Sequence, residues 1–144
     1  MATAQQLTFA LEVDDGWPPV AAECLPASIS AEGARLLVPP LFVKGLAVGD
    51  LFNVTQTADG QVVAWSLLSE SGHSTVWIMS FGGLEVDGLL AQARELGCST
   101  SVFPTKLVGA IDLPPAVPAT VLDGMLAPYS EDKLAVAYPV WRHE

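Results

Sequence analysis

Few residues in this chain have the types and spacing that chemistry needs. His73, Ser74 and Thr75 stand together in the stretch Glu70–Ser80. A histidine beside two hydroxyls is raw material for an activated nucleophile. However, this stretch enters a strand, where neighbours point to opposite faces, so His73 and Ser74 are not expected to form a dyad. His73 shares a face with Thr75 and could meet a cysteine from elsewhere. Cys98 follows a predicted helix C-terminus, where the dipole raises a thiol pKa, whereas an activated cysteine wants the N-terminus. No G-x-S-x-G is present. His73 therefore reads first as a hydrogen-bonded structural residue, bridging through backbone carbonyls, and second as a functional one.

The acids offer a second chemistry. Asp14, Asp15, Glu23, Asp50 and Asp59 lie in or near turns that could cluster at one end of a small sheet. Converged, they would make an acid/base pair or a calcium site. The D-x-[DN]-x-[DN]-G loop is absent, and acidic turn residues usually serve as turn formers. Two cysteines and two histidines show no C-x-x-C or H-x-x-x-H spacing, so no zinc site is expected. Gly45 and Gly49 are four apart, but the phosphate-loop order is missing. No catalytic residue, metal or cofactor is assigned.

Composition narrows the partners. The chain has 144 residues with 16 acids against 6 bases, a formal net charge of −10. An acidic surface repels phosphate backbones and anionic lipid, which disfavours nucleic acid and membrane surfaces, and it speeds encounter with a basic protein. No apolar run approaches the ~20 residues that span a bilayer. The N-terminus lacks a basic region followed by an apolar one, so no secretory signal is read. Lone thiols Cys24 and Cys98 read as buried small hydrophobes. The expected compartment is the cytoplasm.

These residues must be positioned by short elements. Leu7, Phe9, Leu11 and Val13 alternate along a strand over 7–13, and Asp14-Asp15-Gly16 ends it. Trp17-Pro18-Pro19 is stiff and holds Trp17 as a lid on the core or a surface contact. Strands follow over 20–28 and 34–38, then a glycine-containing loop to Asp50. Runs 51–56 and 61–68 flank Ala58-Asp59-Gly60, a hairpin signal. The strand 75–81 is apolar on both faces and so central. Thereafter helical spacing over 86–96, capped by Gly97, alternates with strands over 99–103 and 106–113. A second helix opens at Pro114-Pro115 with Pro118 in its first turn, Pro128 stops it, and 134–140 is a last strand. The four tryptophans read as core, except Trp17 and Trp141 beside irregular chain.

The fold expected is α+β. A small curled β-sheet or barrel over 1–72 is joined without a linker to a ferredoxin-like βαββαβ half over 73–144.

Three groups of residues carry a resemblance: Trp17-Pro18-Pro19 with Glu23, Pro40-x-Phe42-Val43-x-Gly45 with Gly49-Asp50, and Ser71-Gly72-His73-Ser74-Thr75. In combination they resemble a bacterial domain-of-unknown-function family over most of the chain. The resemblance implies no activity. It marks the Trp-Pro-Pro…Glu and Gly-His-Ser-Thr positions as those to test.

The function expected is a non-enzymatic, acidic protein-binding module, such as an immunity protein or inhibitor masking a basic partner. Asp14, Asp15 and Glu23 would steer and Trp17 would anchor; Asp50, Ser74 and Thr75 complete the candidate surface with His73. One alternative is a small-molecule binder or small enzyme using the cleft between the halves around His73, Thr75 and Glu23. Another is a structural subunit that forms a homodimer.

Overall fold

A computed structural model describes residues 3–143; Met1, Ala2 and Glu144, the outer ends of the two expected halves, lie outside the described residues. The element order is β1 (Thr3–Ala10), β2 (Ala22–Ser30), β3 (Gly33–Leu36), β4 (Leu51–Gln56), β5 (Gln61–Ser69), β6 (Ser74–Ser80), α1 (Asp87–Glu95), β7 (Ser99–Val102), β8 (Val108–Leu113), α2 (Ala119–Leu126) and β9 (Leu134–Val140). Strands β1 to β5 close a barrel, and the other four form a sheet of order β7-β8-β6-β9. With two helices inserted in βαββαβ order, the second half is ferredoxin-like and the whole is α+β, as expected.

The barrel is an antiparallel meander closed by one parallel contact, in which Thr8 meets Gln61 and Phe9 meets Val62. Alternation puts Leu7, Phe9, Leu25, Leu36, Phe52 and Val62 inside, where burial of each large side chain is worth ~1.5–3 kcal/mol. Asp59-Gly60 makes the β4–β5 turn, with Gly60 at φ +85 and the Thr57 N–H donating to the Gln61 carbonyl at 2.8 Å. The first strand is shifted from expectation. It spans 3–10 because its ladder with β2 runs from Thr3↔Ile29 to Ala10↔Ala22 and ends there. Leu11 and Val13 continue the apolar alternation past the last pair, and Val13 is exposed.

In the second half, β6 lies between β8 and β9, in keeping with its two apolar faces. Val76 and Ile78 pack under α1 and α2 with Leu89, Leu90, Ile111 and Leu122. Trp77 and Met79 lie on the other face, towards the barrel. Helix α1 ends near Gly97 at φ +100, as its spacing predicts. Helix α2 begins later than expected. Pro118 is its extended N-cap (ψ 145) and not a first-turn residue. A proline also keeps the residue before it out of the helical region, so Val117 cannot start the helix. No helix is long and apolar enough to cross a membrane among the described residues.

Candidate functional site

The two halves meet through the irregular segment 37–50, and residues at both ends of β6 determine what lies between them. At the far end of β6 a cleft of about 810 Å³ opens between barrel and sheet. Phe9 and Trp65 line it from the barrel, Trp77 and Met79 from the sheet, and Trp17 and Phe42 from the loops. Its charged lining residues are Glu12, Asp14 and Lys44.

Local chemistry explains how the sequence builds these walls. Asp14 and Trp17 exchange backbone hydrogen bonds of 2.9 and 3.1 Å around Asp15-Gly16, whose φ values are +53 and +77. Two successive positive φ values are the primed-turn pattern that an Asp-Gly pair favours. This miniature hairpin holds Trp17 47% exposed, edge-on against Phe42 at 5.7 Å between ring centroids. Trp17 is thus a surface aromatic at the cleft mouth. Phe42 in turn meets Phe103 at 5.5 Å. Gly45 has φ +88, and a Cβ there would stand 3.1 Å from the Trp65 ring, so glycine both suits the backbone and lets that indole pack close to the loop.

Glu23 lies beneath this loop and does not face the cleft. Its carboxylate accepts the backbone N–H groups of Leu41 at 2.6 Å, Phe42 at 2.9 Å and Val43 at 3.1 Å. From the sheet side, Trp77 Nε1–H donates to the Pro40 carbonyl at 2.7 Å and the Ser101 hydroxyl to that of Pro39 at 2.8 Å. A segment with two prolines and no strand partner is thereby fixed on both sides.

The near end of β6 is closed and polar. Asp50, fully buried, meets Arg142 through two hydrogen bonds of 2.6 and 3.0 Å. It also accepts the N–H groups of Ala47 and Ser71, each at 2.9 Å. Burial alone would raise the Asp50 pKa, but Arg142 and the two N–H donors outweigh it and hold the carboxyl below the usual range. His73 Nδ1 lies 2.7 Å from Asp112 Oδ1. There burial wins over the pull of His73, and the Asp112 pKa is raised. Gly49 at φ +84 permits the tight crossing, since a Cβ would come 2.9 Å from that of Ser71.

Ser74 does have a histidine partner, and it is His143. Its hydroxyl donates to His143 Nδ1 at 2.7 Å, and His143 Nε2–H donates to the Pro114 carbonyl at 2.9 Å. Such a pair is how an activated serine begins. Here the hydroxyl is fully buried and already accepts the Arg142 N–H at 2.7 Å, so no substrate carbonyl reaches it. The pair fastens the C-terminal tail to β6. Thr75 is buried with its hydroxyl unpaired, so it hydrogen-bonds to neither histidine. Cys98 is buried, and burial together with nearby Asp112 pushes its thiol up to about 11, which keeps it a protonated, weak nucleophile.

The structure therefore divides the residues singled out in the sequence. Trp17 and Asp14 reach the cleft, with Asp15 in the turn between them. Glu23 supports the cleft from beneath. Asp50, His73 and Ser74 belong to the closed junction. Trp17, Glu23 and His73 do not line one concavity. Sequence reasoning missed Arg142 and His143, although they are one of 6 bases and one of 2 histidines, following directly on a strand. It also read Trp65 and Trp77 as core. Both are half-buried walls, a distinction that no alternation pattern carries. Among the described residues no group of three His, Cys, Asp or Glu side chains could hold a metal ion.

A family model described as Domain of unknown function (DUF4265) matches residues 23–137. The crystal structure of a hypothetical protein from Neisseria gonorrhoeae resembles the chain with a TM-score of 0.70 and 21% identity, covering 97% of this chain and 95% of that one. At that identity the likeness shows the fold. No curated protein matches the sequence.

Proposed function

We propose that this chain, which belongs to the DUF4265 family, is a non-enzymatic protein-binding module that masks a basic partner, as an inhibitor or immunity protein does. One observation carries this reading: an aromatic cleft whose mouth holds an exposed tryptophan and whose charged lining is two acids, Glu12 and Asp14, against one base, Lys44, on a chain of net charge −10. Tryptophans in partly desolvated pockets are the usual anchors of protein interfaces, and a field of one sign accelerates encounter with its opposite. The polar groups that could do bond-making chemistry, Ser74, His143, His73 and Asp112, already satisfy one another away from the cleft. Two free thiols, Cys24 and Cys98, support a reducing compartment, and so the cytoplasm.

The test is capture from the native host at low and moderate salt, comparing the wild type with Trp17→Ala and with Glu12→Lys/Asp14→Lys. A protein held by the wild type, weakened by salt and lost with both variants is the expected result. Equal capture by all three, or none at low salt, sinks the proposal. A second reading draws on the cleft volume of about 810 Å³, which lies within the ~300–1,000 Å³ typical of small-molecule pockets. It places an apolar small molecule against Trp65 and Trp77, and native mass spectrometry of the freshly purified protein would show it as an added mass.

A further inference from the structure

The barrel is closed over a very short distance. Strand β5 pairs with β4 from Val62 to Ser69, but with β1 only at Gln61 and Val62. Beyond that pair β1 parts from β5 and keeps only β2, through one more bond from the Leu11 N–H to the Ala21 carbonyl at 2.9 Å, before the chain turns into the Asp14–Trp17 hairpin. Residues 64–69 of β5 thus keep a free edge, and no backbone hydrogen bond leaves that side among the described residues.

This edge differs from the other free edges of the molecule. Natural strand edges are blunted by charge, proline or shortness, because open N–H and C=O groups template pairing with another chain. Strand β7 has four residues and is followed by Pro104, β9 carries Pro139, the stretch 53–56 of β4 left free by β3 is only four residues long and carries polar Asn53, Thr55 and Gln56, and the free stretch of β1 begins with Thr3-Ala4-Gln5-Gln6, polar at three of four positions. The sequence Val63-Ala64-Trp65-Ser66-Leu67-Leu68-Ser69 holds no charge and no proline, and Val63 and Leu68 are 55% and 51% exposed. Its first three residues line the cleft, as do Glu12 and Asp14. Neither acid takes part in an ion pair among the described residues.

We infer that the partner of the cleft is an extended basic segment that adds to β5 as a strand, in the slot that β1 vacates. This rests on the protein-binding reading and specifies how the binding is made. A segment of about six residues, at ~3.3 Å each, covers the free stretch. Its main chain would complete the ladder along 64–69, one apolar side chain would enter between Trp65 and Trp77, and a lysine or arginine would face Glu12 and Asp14. A second copy of this chain is the poorer occupant, since each copy brings a net charge of −10.

The experiment is a selection from a displayed random linear peptide library against the full chain at low salt, followed by measurement of synthetic peptides. Enriched sequences are expected to be basic and free of proline, with apolar residues in alternation. Methylation of alternate backbone amides in such a peptide is expected to weaken binding at least ~10-fold, since each blocked N–H removes a ladder bond. Amide hydrogen exchange at residues 64–68 is expected to slow when the unmethylated peptide binds. Equal binding of the methylated peptide without that slowing overturns strand addition while leaving the cleft reading intact, provided Trp17→Ala still weakens it. Enrichment indifferent to charge, or no enrichment, overturns the inference, whereas the capture experiment judges the broader reading separately. Slowed exchange at 64–68 without peptide, with light scattering showing a dimer, replaces the basic segment with a second copy.

Discussion

The two ends of β6 face the same partner, the barrel, and do opposite things with it. At the Ser74 end the polar groups, the Thr75 hydroxyl excepted, find partners: Asp50 with Arg142 and two N–H groups, His73 with Asp112, Ser74 with His143. At the Met79 end the lining is mostly apolar and aromatic, and beside it a strand edge has no ladder. Buried polar groups are costly unless paired, so satisfied ones report what holds a fold together. An open edge and an exposed tryptophan contribute little to folding the chain that carries them, and so point outward. In this molecule the residues that look most like catalytic ones are the fastening, and the plainer apolar ones shape the site.

That contrast can be broken in order of effect. The largest is expected from Asp50→Ala, which takes from the partly buried Arg142 its two close hydrogen bonds and leaves it as counter-charge only exposed Glu70, in a longer 3.6 Å ion pair. Removing one partner of a buried pair costs ~3–5 kcal/mol, read as a fall in the urea midpoint at unchanged slope. Glu23→Ala comes next. It strands three N–H groups, two of the bonds being buried, and is expected to cost at least ~2 kcal/mol. It should also loosen the cleft wall, so a peptide that binds the wild type would bind it more weakly, whereas Asp50→Ala should bind such a peptide normally at temperatures where it is folded. Gly49→Ala is expected to cost ~1–2 kcal/mol through its positive φ, with added strain against Ser71.

Acid titration gives a smaller effect, with a sign for each carboxylate. The folded pKa of Asp50 is depressed, so its stabilisation is present above the unfolded value of ~3.9 and is lost as pH falls through the lower folded value. The folded pKa of Asp112 is raised, so between ~3.9 and that raised value stability increases as pH falls. Denaturation of Asp112→Asn across this range should lack the gain, and Asp50→Asn should lack the loss below about pH 4. If both variants kept the wild-type profile, burial and Arg142 would not be shifting these two carboxylates as the geometry requires. Smallest is Trp17→Ala. Half exposed, it gives up chiefly its edge contact with Phe42, so its loss should cost stability about 1 kcal/mol, with the main consequence in binding.

Much of the architecture was legible because its signals are local. Alternation, the Asp59-Gly60 turn, the helical spacing before Gly97 and the two apolar faces of β6 each act within a few residues. The misplacements have local causes too. Leu11 and Val13 prolong an alternation after its ladder has ended, and Pro118 acts on the residue before it. The site was legible only in part. Trp17 could be read from the rigidity of Asp15-Gly16 and Pro18-Pro19, whereas the roles of Glu23 and His73 depend on partners 18 to 20 and 39 residues away.

By itself the sequence determined the α+β class, the order of elements, the acidic character and the stiff presentation of Trp17, because propensity, periodicity and charge belong to residues and their near neighbours. Only the tertiary structure decided that Ser74 pairs with the second histidine, that Arg142 neutralises Asp50, and that β1 parts from β5 to leave an edge beside a cleft. Those facts depend on which distant segments the closing barrel and the returning tail bring within hydrogen-bonding distance, and no local pattern encodes that distance.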